Sequence, residues 1–233
     1  MSSRSEVAGR LASVVAALDG WSTSADRICE ATRLVAGADG AAVSLAQPDG
    51  GLERVPLSSA GHGAARLEEI QDAFGEGPAF DALLGDVAVD VSSVEMVSRW
   101  PLFAGSVIRD VHVVRVCAVP MHGGADVLGV LTLFLAHAGP FAFGRRELAF
   151  LADAAASALS AHSAADHLVT QSAWDGRSAV NRATGMVMAQ LAIPAVDALA
   201  LMRAHAYAID ATLQDVARQV LQRTLVFRPP DGP

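Results

Sequence analysis

Lysine is missing altogether: all 17 basic residues of this 233-residue chain are arginines. Chemistry that depends on a lysine amine is therefore excluded, including the Gly-x-x-x-x-Gly-Lys phosphate loop and the kinase set, and no Gly-x-Ser-x-Gly nucleophile elbow occurs either. Cysteine is scarce. Cys29 and Cys117 lack C-x-x-C spacing and read as buried small hydrophobes, one in a helix and one in a strand. The seven histidines are scattered, and the closest helical pair, His162 and His167, is spaced i, i+5, so no zinc signature emerges. No apolar run approaches the roughly 20 residues of a membrane span. The stretch Met1–Gly20 lacks the basic, apolar and cleavage regions of a signal peptide, so a cytoplasmic protein with no membrane partner is expected.

What is present is a composition for packing: 52% hydrophobic residues against 18% charged. That is the balance of a folded globular chain, and its length accommodates one ordinary domain and a smaller one. Helical spacing marks 6–18 and 24–36, the second closed by Gly37. Strands are expected at 41–46 and 52–57 around the turn Gln47-Pro48-Asp49-Gly50-Gly51. A helix over 66–74 and the turn Gly75-Glu76-Gly77-Pro78 lead to a second short helix, then to a strand at 87–91. Arg99-Trp100-Pro101 opens a further helix to Asp110, with Trp100 in the core and Arg99 beside an acidic neighbour. The strongest strands, 113–119 and 127–136, flank the turn His122-Gly123-Gly124-Ala125-Asp126. The order of elements is α+β with a central antiparallel sheet.

From Arg145 onward the pattern is purely helical. Leu148, Leu151, Ala155, Ala158, His162, Ala165 and Val169 form a 3.5-residue stripe whose small residues permit close packing. Two readings stand: a parallel dimer seam through Leu148, Leu151, Ala155, Ala158 and Val169, or a helix laid against its own sheet, with the first half serving both. Three helices follow at 177–191, 195–208 and 213–225, the last presenting Leu213, Val216, Ala217, Val220, Leu221 and Thr224 on one face. The expected division is 1–161 for a sensor domain with its N-terminal helix, 145–176 for an overlapping linker helix or coiled coil, 177–226 for a helical module and 227–233 for a disordered tail.

A net charge of -8 argues against nucleic acid in general. The acidity sits upstream, however. From Gln171 onward Arg177, Arg182, Arg203, Arg218, Arg223 and Arg228 stand against Asp175, Asp197, Asp210, Asp215 and Asp231, so the helical end is near neutral. Arginine forms bidentate contacts to phosphates and bases better than lysine, although a GC-rich genome produces the same bias.

The run Arg177-Ser178-Ala179-Val180-Asn181-Arg182-Ala183-Thr184-Gly185-Met186-Val187-Met188, with Asp197-Ala198-Leu199, Leu201-Met202-Arg203 and Asp215-Val216-Ala217, resembles the ANTAR family of RNA-binding antiterminators. Its core is Ala183-x-Gly185-x-x-Met188. Thr184 departs from the pattern, since many relatives carry Lys there. The region from about Ser22 to Ala161 resembles the GAF sensor domains that accompany such modules in actinobacteria, through Gly75-Glu76-Gly77-Pro78, Arg99-Trp100-Pro101 and Val119-Pro120. The resemblance implies a GAF-like sheet flanked by helices, a long linker helix and a three-helix ANTAR-like bundle. It also implies a non-enzymatic, signal-responsive homodimer that binds hairpin loops of leader transcripts and favours read-through of a terminator. A phosphoacceptor receiver, the other usual companion of an ANTAR module, needs an essential Lys that this chain lacks.

On a helical wheel of 177–191, Val180, Ala183, Val187 and Leu191 share one side, and Arg177, Ser178, Asn181, Gly185 and Met188 the other. A mid-helix glycine on a polar face costs about 0.5–1 kcal/mol, which points to something approaching the backbone closely. RNA and a partner helix both fit. The RNA-contact set is thus Arg177, Ser178, Asn181, Arg182, Thr184, Gly185 and Met188. Arg203 falls on the apolar side of its helix, where an ion pair with Asp215 competes with RNA contact. Gly75, Glu76, Gly77 and Pro78 form either one wall of a small-molecule cavity or an ordinary start to a helix. No cofactor is identified. The competing function is a ligand-sensing, protein-binding or DNA-binding regulator whose helical end is an oligomer interface.

Overall fold

The computed structural model describes residues 4–18, 20, 23–46, 54–162 and 167–228, and side chains within these ranges except for 162–178. The chain divides into two compact units, one of residues 1–71 and 75–170 and the other of residues 72–74 and 171–233.

The first unit opens with α1 (Arg4–Ala17) and α2 (Ser24–Ala36). Thr23 caps α2 by accepting the Asp26 amide at 3.0 Å, and Gly37 closes it in the left-handed region. Then come β1 (Gly40–Ala46), β2 (Arg54–Ala60), α3 (Ala64–Phe74), α4 (Pro78–Gly85), β3 (Val89–Ser92), α5 (Ser93–Arg99), α6 (Pro101–Val111), β4 (Arg115–Gly123), β5 (Asp126–Leu135) and α7 (Arg145–His162). The five strands form one antiparallel sheet in the order β2-β1-β5-β4-β3. The turn expected at 47–51 lies outside the described residues.

Both faces of the sheet's centre are covered, so β1, β4 and β5 are buried almost continuously. Successive side chains alternate between faces. Ala41, Val43, Cys117, Val119, Met121, Leu131, Leu133 and Leu135 join α1, α2 and α7 in one core. Val116, Ala118, Val130, Thr132 and Phe134, also buried, have the opposite parity. Two prolines sit where the ladder does not need their missing amide. Pro56 is on edge strand β2 beside a bulge, and Pro120 lies beyond Ala118, where β3 stops pairing with β4.

The seam expected along 148–169 resolves differently. Leu148, Leu151 and Ala155 are buried in the core of their own unit, so they do not form an exposed dimer seam. Ala158 is half-buried against the same core. The side chains of His162, Ala165 and Val169 lie outside those described.

The second unit holds α8 (His167–Leu191) from Gln171 onward, α9 (Ala195–Ala208) and α10 (Leu213–Leu221). Arg177 does not begin a helix: it lies inside the 25-residue α8, so the division expected at 177 falls mid-helix. Val180, Ala183, Val187, Ala198, Met202, Ala206, Leu213, Val216, Ala217 and Val220 make a separate core. Thr212 caps α10, accepting the Asp215 amide at 3.0 Å. The helix stops before the expected Leu225 because Arg223 turns left-handed (φ 59°). Phe227, expected in a disordered tail, is held instead. Its amide donates to Gln190 Oε1 at 3.1 Å, and its ring meets His205 edge-on at 5.6 Å. Residues 229–233 lie outside the described ones. Among the described residues no single helix is long and apolar enough to cross a membrane.

Candidate nucleic-acid interface and sensor interior

On α8, among the described side chains, Asn181, Arg182, Gly185 and Ala189 are exposed. Spacings of three to four residues align Asn181, Arg182, Gly185 and Ala189 along one face. Gly185 has an ordinary helical φ, and a Cβ built on it would meet no atom within 4 Å outside its immediate neighbours. Nothing inside the fold requires glycine there. Its helix-propensity cost of about 0.5–1 kcal/mol is not offset by any internal packing, so the bare backbone faces outward.

Two members of the expected set are elsewhere. Thr184 is buried, its hydroxyl donating to the Val180 carbonyl at 2.9 Å, and belongs to the core rather than the exposed face. Met188 is half-buried against that core. Arg177 and Ser178 lie on α8, with side chains outside those described. Asp215, expected as a partner of Arg203, accepts from Arg218 at 2.8 Å and from the Thr212 hydroxyl at 2.8 Å. The Thr212 bond leads in holding the Asp215 carboxyl below its ordinary range.

In the first unit, Gly75-Glu76-Gly77-Pro78 is a junction of three helices. Gly75 closes α3, Gly77 precedes α4 at φ 134°, and Pro78 takes the first turn of α4, where its missing amide costs nothing. A Cβ on Gly77 would lie 2.7 Å from Gln71 Oε1, so glycine is required by both conformation and space. Glu76 Oε1 accepts the Phe103 amide in the first turn of α6 at 3.0 Å. The ordinary helix-start reading accounts for all four residues.

Sequence reasoning missed the polar network beneath this junction. Arg54 on β2, with no exposed surface, pairs with Glu68 on α3. The Ser44 hydroxyl donates to Glu68 Oε2 at 3.0 Å, and Gln71 Nε2 donates to Glu68 Oε1 at 2.9 Å. Gln71 Oε1 in turn accepts the Ala79 amide at 2.9 Å, and the Arg54 guanidinium lies 4.8 Å from the Phe80 ring centre. An edge-strand arginine reads as a surface charge, so no sequence signal betrayed it. Trp100 is buried as expected, and Arg99 stacks on its ring at 4.4 Å while pairing with Asp81 at 2.7 Å. Both cysteines are buried, and desolvation pushes each thiol up to about 12. They are small core residues, not nucleophiles.

A family model of the GAF domain matches residues 21–161, and one of the ANTAR domain matches 169–221. A comparison with curated proteins finds no match. Among solved structures, the GAF domain of a phosphoenolpyruvate-protein phosphotransferase from Coxiella burnetii is 14% identical, covering 72% of this chain and 99% of that one at a TM-score of 0.50. The GAF domain of the corresponding Acinetobacter protein is 13% identical over 72% and 99%, at a TM-score of 0.49. The second GAF domain of DevS from Mycobacterium smegmatis is 18% identical over 62% and 97%, at 0.41. The Coxiella likeness supports the fold alone. Because the GAF match spans more than half the sequence and the ANTAR match spans α8 to α10, the chain belongs to the GAF family and joins that sensory domain to an ANTAR module, the RNA-binding part of a transcription regulator.

Proposed function

We propose that this chain is a signal-responsive antiterminator, a homodimer that holds hairpin-loop RNA of leader transcripts against the exposed face of α8 and responds to a small molecule in its GAF domain. The observation that carries this is Gly185: an uncovered helical backbone flanked by Asn181 and Arg182, with no internal reason for glycine. RNA loops present splayed bases and phosphates that need a close, unobstructed approach, and an arginine beside the opening supplies phosphate contact. Arg177 and Ser178, about two helical turns before Gly185 on α8, complete the proposed contact set. With Leu148, Leu151 and Ala155 committed to the sensor core, Ala158 and Val169 are the positions of the expected seam that this proposal retains.

The test is gel retardation of a two-hairpin, terminator-overlapping RNA beside duplex DNA. Retardation of the RNA alone, abolished by Gly185→Glu with unchanged helical circular dichroism, supports the reading. RNA affinity within a factor of two of wild type in that variant rejects the α8 face.

A second reading draws on α9, where Val196 and Leu201 are 72% and 41% exposed and Ala200, Ala204 and Ala208 lie outward with them. In that reading the C-terminal helices form an oligomer interface. Val196→Asp would then dissociate the oligomer in light scattering, whereas an RNA face on α8 leaves oligomer size unchanged in the same variant.

A further inference from the structure

His122, near the end of β4, stands between two carboxylates from different elements. Its Nδ1 lies 2.9 Å from Asp153 Oδ1 on α7, and its Nε2 lies 2.8 Å from Asp86 Oδ1 at the C-terminus of α4. The His122 backbone amide also donates to Asp153 Oδ1 at 3.1 Å. On the remaining side, β5 sets the apolar Val127 opposite it in the ladder, so Asp86 and Asp153 are the charged groups that bear on the ring. A carboxylate can only accept, and a neutral imidazole carries one N–H. Only the doubly protonated ring can donate to both aspartates at once.

We propose that His122 is a proton-operated latch, an imidazolium that ties α7, the last helix of the sensor unit, to the end of α4, and lets go of one of the two when it loses a proton. The position matters because the chain runs from α7 into the helices of the ANTAR module. One end of the latch, Asp153, lies on α7, from which the chain continues to α8, and the signal it reads is proton concentration.

Asp86 holds a left-handed conformation (φ 47°), which a short polar side chain tolerates, so its carboxylate is held beside the ring by the backbone of the helix stop. Hydrogen bonding to Asp153 first and to Asp86 second raises the His122 pKa above its ordinary 6.5. A raised histidine pKa means the stabilisation is complete below the unfolded-state value and is lost as pH climbs through the native one. The latch is therefore closed in acid and opens as the pH rises through a value above 6.5. His122 is about one-third exposed, so solvent screens the pair and the effect is graded.

The full-length protein serves for the test. The histidine rings are titrated by NMR, and amide exchange in α7 around Asp153 is measured as a ratio to exchange in β5 at each pH. His122 is expected to titrate above 6.5. Asp86→Asn, which keeps the left-handed residue, lowers that value, and Asp153→Asn lowers it further. Between about pH 6 and about pH 9 the α7-to-β5 ratio rises about two- to fivefold in wild type, the range of partly exposed ion pairs, and stays flat in His122→Gln. A His122 that titrates at or below 6.5 overturns the proposal. So does a ratio that does not change with pH in the wild type, or that changes equally in His122→Gln.

Discussion

The Thr184 hydroxyl on α8 lies 3.8 Å from the Met202 sulfur on α9, with its proton directed to the Val180 carbonyl at 2.9 Å. It is a core residue bonded to its own helix. Thr184→Val removes a bond that bends helices as much as it stabilises them, and it keeps the volume. Unfolding in urea should shift by no more than about 1.5 kcal/mol, the net worth of one intramolecular hydrogen bond, and RNA affinity should remain within twofold. A tenfold loss of affinity would return Thr184 to the RNA face.

Gly185→Ala separates folding from binding. With open space for the Cβ, alanine should stabilise the free protein by about 0.5–1 kcal/mol, while crowding the outward backbone and weakening the RNA complex. Thermal unfolding and gel retardation, run on the same preparation, read the two effects. Gains in both quantities would show that nothing approaches that backbone.

Arg182 is tested through salt. Each phosphate contact to single-stranded RNA contributes about -0.7 to the slope of log affinity against log salt. A dimer that loses two contacts in Arg182→Ala should therefore show a slope shallower by about 1 to 1.5. Loss of affinity at an unchanged slope would mean base recognition instead, and no change in either rejects the contact.

The Arg54–Glu68 pair should be costly to break on one side. Glu68→Ala leaves a guanidinium buried without its carboxylate, and destabilisation of about 3–5 kcal/mol is expected for the sensor unit. Replacing both with apolar residues of similar volume should recover much of it. Denaturant titration of the single and double variants measures the difference.

Leu151→Ala, in the sensor core with no exposed surface, should cost about 2–5 kcal/mol and leave the oligomeric state unchanged. A shift to monomer with little loss of stability would restore the residue to a dimer seam.

How far the sequence could be read depends on what fixes each residue. The bounds of α2 and α9 were legible to the residue, because Thr23 with Gly37 and Pro194 with the left-handed Asp210 punctuate the chain locally. The helix α5 was missed, although Ser92-x-x-Glu95 is a capping box in which Ser92 accepts the Glu95 amide at 3.4 Å and Glu95 Oε2 accepts the Ser92 amide at 2.8 Å. Thr184 was misplaced by its polarity. With Val180, Ala183 and Val187 it completes an i, i+3, i+4, i+7 set, and that periodicity should have outweighed one hydroxyl. The stripe from Leu148 to Ala158 was ambiguous in principle, since repeats of 3.5 and 3.6 residues differ by only about 20° per heptad. Whether a partner copy or its own sheet covers such a stripe is a tertiary fact. The same holds for His122, Asp86 and Asp153, which three distant elements bring together.

The placement of the two cysteines gives the molecule a built-in reporter. Cys29 on α2 and Cys117 on β4 both lie in the sensor core, with their thiols suppressed by burial, and the sequence after Gln171 contains no cysteine at all. A thiol reagent can therefore react only when the sensor unit opens, and unfolding of the C-terminal helices alone leaves no trace in the labelling. Alkylation rates on the unmodified chain thus clock the opening of one unit while circular dichroism follows both.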